Sequence, residues 1–99
     1  MIVKEHTHPD GRVVLAVCDK ELLGKKIEEG EKQLDITSSF YQGKELDPLL
    51  IGDMIRNANS FNLVGEKSVK LGIEEGIIDE GQIRFIAGIP YAQGIVEEQ

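Results

Sequence analysis

The sequence predicts an α+β domain, a small mixed or antiparallel sheet with two helices packed on one face. Three observations carry this. The run "RVVLAVC", Arg12 to Cys18, is apolar at nearly every position, as a central strand covered on both faces must be. After Asp47-Pro48, the residues Leu50, Ile51, Met54, Ile55 and Ala58 fall on one helical stripe. A second helical pattern ends at Gly76, a residue suited to the left-handed C′ position.

The elements follow in order. Met1 to Thr7 reads as a strand. "HPDG", His8 to Gly11, reads as the turn of a hairpin, since Pro9 presets φ, Asp10 bonds backbone and Gly11 accepts positive φ. Val13 to Cys18 is the returning, central strand. Asp19 is placed to N-cap a short turn, Lys20 to Leu23, stopped by Gly24. "KIEEGEKQLDIT" reads as a hairpin or loop around Gly30, with Leu34 and Ile36 on a half-buried strand. "SSFYQGKE" reads as a loop.

Asp47 and Pro48 then cap a helix over about 47–59, because proline is favoured at the first helical position. "NANS" breaks it, and Asn62 is placed to cap a second helix over about 62–75. Gly65 and Gly72 inside that helix cost about 1 kcal/mol each relative to alanine, which calls for a close backbone approach. Ile83 and Phe85 alternate with Arg84. Gly88-Ile89-Pro90 reads as a turn before a last strand, Tyr91 to Val96.

The bulk numbers bound the function. Ninety-nine residues make a single domain spanning 1–99, with 40% apolar and 29% charged residues. A net charge of −7 repels a phosphate backbone, which argues against non-specific nucleic-acid binding. The apolar runs fall far short of the roughly 18 residues of a membrane span, and the N-terminus lacks a signal-peptide core. A single cysteine excludes an internal disulfide and fits a reducing, cytoplasmic setting.

Chemistry-bearing residues are few. Cys18 ends an apolar strand beside Asp19, which disfavours thiolate, so it reads as a packed core thiol. His6, His8 and Asp10 share the histidine spacing of a strand metal site, yet they run into a turn where solvated polar residues are normal, and the expectation is no metal and no cofactor. Asn62 and Glu66 would share a helix face as a cap and a dipole-complementing acid. "ELLGKK" fails as a phosphate-binding loop, because Asp19 stands where the first glycine belongs.

The segments "VCDKELLGK", "EEG", "FYQG", "NLVGEKSVKLGIEEGIID" and "GIPYAQ" occur in this order across about Val13 to Gln93. This chain thereby resembles a family of small archaeal proteins, domain of unknown function 424. The resemblance implies an archaeal, cytoplasmic protein with no established reaction. The residues it singles out are Cys18, Asp19, Leu23, Gly24, Lys25, Asn62, Gly65, Glu66, Pro90 and Gln93. The family's closing Pro-His-Ala-Gln here reads Pro90-Tyr91-Ala92-Gln93, and tyrosine does not titrate near neutral pH.

Packing and turns account for Leu23, Gly24, Gly65 and Pro90. Asp19, Lys25, Asn62, Glu66, Tyr91 and Gln93 remain as candidate ligand- or partner-contacting residues. No catalytic constellation is present, so the reading is a non-enzymatic binding or adaptor domain for a macromolecular partner, with information processing as a setting. The alternative is a small enzyme or ligand-binding protein whose polar site forms between the short turn, the second helix and the last hairpin.

Overall fold

The computed structural model describes residues 1–96. Strand β1 (Ile2–Thr7) pairs antiparallel with β2 (Val13–Cys18) across the expected turn, where Gly11 has φ 91° and donates to His8 O. A 3-10 turn, Lys20–Leu22, leads into a separate hairpin of β3 (Lys26–Glu29) and β4 (Lys32–Asp35). The stretch expected to be a loop contains another 3-10 turn, Ser39–Tyr41, and a two-residue edge strand β5 (Lys44–Glu45).

Helix α1 (Pro48–Asn57) starts as expected: Asp47 accepts a hydrogen bond from Leu49 N at 2.9 Å, and proline follows the cap. Its inner face is Ile51, Gly52 and Ile55, while Leu50 is 57% exposed and lies off the buried stripe.

The predicted second helix over 62–75 is corrected. Ser60–Val64 form strand β6, and helix α2 spans only Glu66–Glu74. Asn62 is therefore a strand residue and caps nothing. Gly65, expected inside the helix, is its N-cap with φ 108°, a conformation side-chain-bearing residues rarely adopt. Phe61 and Leu63 bury one face of β6 with Ser60 and Asn62 on the other, a period of two rather than 3.6. Gly76 ends α2 with φ 72°, as its position implied.

The last turn is also corrected. Ala87 (φ 49°) and Gly88 (φ 79°) form it, joining β7 (Arg84–Ile86) to β8 (Ile89–Ile95), so Ile89 and Pro90 are strand residues. Pro90 fits there because Gly65 O, the acceptor opposite it, already takes the Val69 N–H of α2.

The strand order is β5-β1-β2-β6-β8-β7. β2 is interior, as the doubly apolar run required, and pairs parallel with β6, so the sheet is mixed. Leu15, Val17, Phe61, Leu63 and Ala92 meet Ile51 and Ile55 of α1 and Val69 and Leu71 of α2 on one face. Ile2, Cys18 and Val64 on the other face meet Leu22 and Ile36 from the short turn and hairpin. That second layer covers the end of the sheet where β2 and β6 finish, and the Ser39–Tyr41 turn extends it over β1 and β2, where Ala16 is fully buried and Phe40 stacks on His6. No helix among the described residues is long and apolar enough to cross a membrane.

Candidate functional site

Asp19 is 3% exposed, and its carboxylate turns away from the short turn that follows it. It accepts hydrogen bonds from Lys67 N (3.0 Å), Ser68 N (2.8 Å) and Ser68 Oγ (2.8 Å). These are first-turn donors of α2, which an N-cap side chain ordinarily satisfies. Gly65 in the cap position has no side chain to do so. It also leaves the space Asp19 needs: a Cβ built on Gly65 would sit 2.6 and 2.7 Å from the Asp19 carboxylate oxygens. Asp19 and Gly65 thus form one device that ties the end of β2 to the start of α2, reinforced by Asp19 N donating to Val64 O.

Cys18 is 1% exposed, between Ile2 and Val64 in register. Burial first, and then the Asp19 charge, push its thiol up to about 11. It is a core thiol, as its position in the strand implied. Tyr91, opposite Val64 on β8, is half-buried against this same cluster.

Asn62 and Gln93 are brought together. They are directly opposed across the β6–β8 ladder, so their Cβ atoms lie about 5 Å apart on one face. Alternation places Lys4 and Ala16 in the same row, with His6, Val14, Ser60 and Ile95 in the next. On the β1–β2 side this stretch is covered, since Ala16 is fully buried and Phe40 of the Ser39–Tyr41 turn stacks on His6; the open part of the face is its β6–β8 side, at Asn62, Gln93 and Ile95. Asn62 is half-buried and Gln93 exposed, and no side-chain hydrogen bond from either is present among the described residues. The sequence carried a signal for this pair: the alternation of Ser60, Asn62 and Val64 with Phe61 and Leu63 gives Asn62 its face.

Lys25 and Glu66 do not join them. Lys25 is exposed at the start of the hairpin, where its backbone bonds Leu22 and Ile36, and Glu66 is exposed in the first turn of α2. Among the described residues, no hydrogen bond or ion pair links Lys25, Glu66, Asn62, Tyr91 and Gln93 to one another. The 3-10 turn after β2 and the first turn of α2 are linked more loosely by Glu21 and Lys67, 3.9 Å apart.

His6 donates from Nε2 to Phe40 O at 2.9 Å and stacks on the Phe40 ring at 4.4 Å between centroids. Asp10 accepts from Arg12 N and Nε, and these bonds, the backbone one first, hold its carboxyl below the usual range. Among the described residues no group of three His, Cys, Asp or Glu side chains is placed to hold a metal ion. Two open depressions flank Asn59, Ile95 and Val96. One, of about 1070 Å³, reaches Arg56, Glu75 and Gln82; the other, of about 690 Å³, reaches His8 and Asp10. Neither is lined by Asp19, Lys25, Asn62, Glu66, Tyr91 or Gln93.

The fold and these residues define a small α+β domain with one sheet face carrying helices and the other partly open. The chain belongs to the family described as Protein of unknown function (DUF424), whose model matches residues 6–96. It is similar to a solved structure, that of an uncharacterized conserved protein from Methanopyrus kandleri, with a TM-score of 0.83 and 27% identity over 99% of this chain and 92% of that one. The comparison with curated proteins gave no match.

Proposed function

We propose that this domain is a non-enzymatic binding module that recognises a macromolecular partner through the open β6–β8 side of its sheet, by way of Asn62 and Gln93. The observation that supports it is the in-register pair of side-chain amides, Asn62 half-buried and Gln93 exposed, on the β6–β8 side of the face opposite α1 and α2. Each amide offers an acceptor oxygen and two donor hydrogens, and neither spends them on a partner among the described residues. An apolar residue at Asn62 would suit a strand better, so a polar pair here contributes little to folding and is free to serve recognition. The rival polar site loses support, because Asp19 is consumed as a cap while Lys25 and Glu66 stand apart.

The test uses the tagged full chain as bait in extract from its native host. Wild type and the Asn62→Ala/Gln93→Ala double variant are compared by quantitative mass spectrometry, with melting curves alongside. A partner recovered by wild type and lost by an equally stable double variant is the expected result. Identical recoveries from both proteins would refute the assignment of the face.

A further inference from the structure

Strand β8 runs from Ile89 to Ile95, yet β7 pairs only with Ile89, Pro90 and Tyr91. The backbone of β8 alternates in direction. Val96 N donates to Asn59 O at 2.9 Å and Pro90 O accepts from Gly65 N at 2.8 Å, so residues 90, 92, 94 and 96 face β6. Gln93 and Ile95 therefore aim their N–H and C=O groups outward, past the end of β7. The chain before β7 is there a 3-10 turn, Glu80–Gln82, and gives them no hydrogen bond. Beside this edge opens the larger depression, walled by Gln82, Ile95 and Val96.

The composition of the edge is unusual for one left free. Unpaired edges are normally guarded by charges, prolines or bulges. The opposite margin, where β1 extends beyond β5, carries Lys4, Glu5 and His6. From Tyr91 to Val96 there is no charged residue, in a chain that is 29% charged. Ile95 is 77% exposed at the end of this strip.

We propose that Ala92–Ile95 is a self-pairing edge, to which a second copy of this chain adds antiparallel about a two-fold axis at Gly94. The geometry sets the register. With Gly94 opposite Gly94 of the second copy, Gln93 faces Ile95 of that copy and Ile95 faces its Gln93. Both N–H and both C=O groups that each copy directs outward then find a partner. Gly94 occupies the non-hydrogen-bonded position, where backbones approach most closely, and brings no side chain into it. Ile95 gains the stem of the facing Gln93 as cover. The two open sheet faces become one continuous surface. Each copy carries a net charge of −7, so the uncharged strip is where contact meets least local repulsion, and association should strengthen with salt.

Sedimentation equilibrium on the full chain tests this, from about 1 μM to about 1 mM protein and at low and high salt. Wild type should pass from monomer to dimer, at lower concentration in high salt. Ile95→Pro should stay monomeric across the range with unchanged circular dichroism and melting temperature, because that N–H has no partner among the described residues and edge strands accept proline. If Ile95→Pro fails to fold, Ile95→Lys makes the same test by placing a charge beside the axis, one from each copy. Wild type that remains monomeric at the highest concentration, or a folded variant that dimerises as well as wild type, overturns the proposal.

Discussion

The carboxylate of Asp19 accepts both the backbone N–H and the hydroxyl of Ser68, so a residue at the end of β2 caps a helix that begins 47 positions later, at Glu66. With Lys67 N as third donor, one buried side chain serves the first turn of α2. Replacing Asp19 by Ala should cost about 2–4 kcal/mol, above an ordinary cap, because the donors it satisfies are buried. Urea denaturation of Asp19→Ala measures this, and a loss below about 0.5 kcal/mol would contradict the capping role.

Gly65→Ala should cost about 3 kcal/mol or more, through a positive φ and a methyl forced onto the Asp19 carboxylate. The two residues share one device, so their effects should not add. In a double-mutant cycle, Asp19→Ala with Gly65→Ala should lose at least about 1 kcal/mol less than the sum of the single changes. Strict additivity would mean the close approach is not what constrains Gly65.

Asn62→Ala should change stability by under about 0.5 kcal/mol, since its amide bonds to nothing among the described residues. Asn62→Val should leave it equal or slightly raise it, as β-branched residues suit a strand. The denaturation midpoints of both variants check this. A loss near that of a helix cap would restore the helical reading of this segment.

Gly72→Ala puts helix propensity against packing. In an exposed helix the change would gain about 1 kcal/mol. Here the new methyl would lie 2.6 Å from Leu63 Cδ1 and 3.1 Å from Ile78 Cγ1, so the variant should lose about 1–3 kcal/mol. A higher melting temperature for Gly72→Ala would show that α2 does not press on the sheet at this point.

The Cys18 thiol keeps its proton in the native state up to about pH 11, against an ordinary value of 9.0 in the unfolded chain. The unfolded state then ionises first, so stability is full below pH 9.0 and falls as pH rises toward about 11. The shift corresponds to a loss of about 2–3 kcal/mol across that window. Wild type should lose that much more than Cys18→Ala between the two pH values, and Ellman's reagent should react slowly until the protein is denatured. Rapid labelling of native protein would place the thiol at the surface.

Sequence alone determined the elements whose evidence is local. Val13 to Cys18 had to be interior because both its faces are apolar, and Asp47-Pro48 had to open a helix because a cap and a fixed φ suffice for that. The burial of Cys18 and the left-handed end at Gly76 follow from the same kind of signal. Tertiary structure decided the rest. Gly65 could not be recognised as an N-cap, because the side chain that caps α2 belongs to Asp19, distant in sequence and joined through the parallel β2–β6 pair. Asn62 read as a cap since a polar residue before a helical pattern is ambiguous between cap and strand, and only the pairing partner settles its period. Its position opposite Gln93 is a matter of register, which is set by backbone hydrogen bonds between segments 31 residues apart and by no property of either residue.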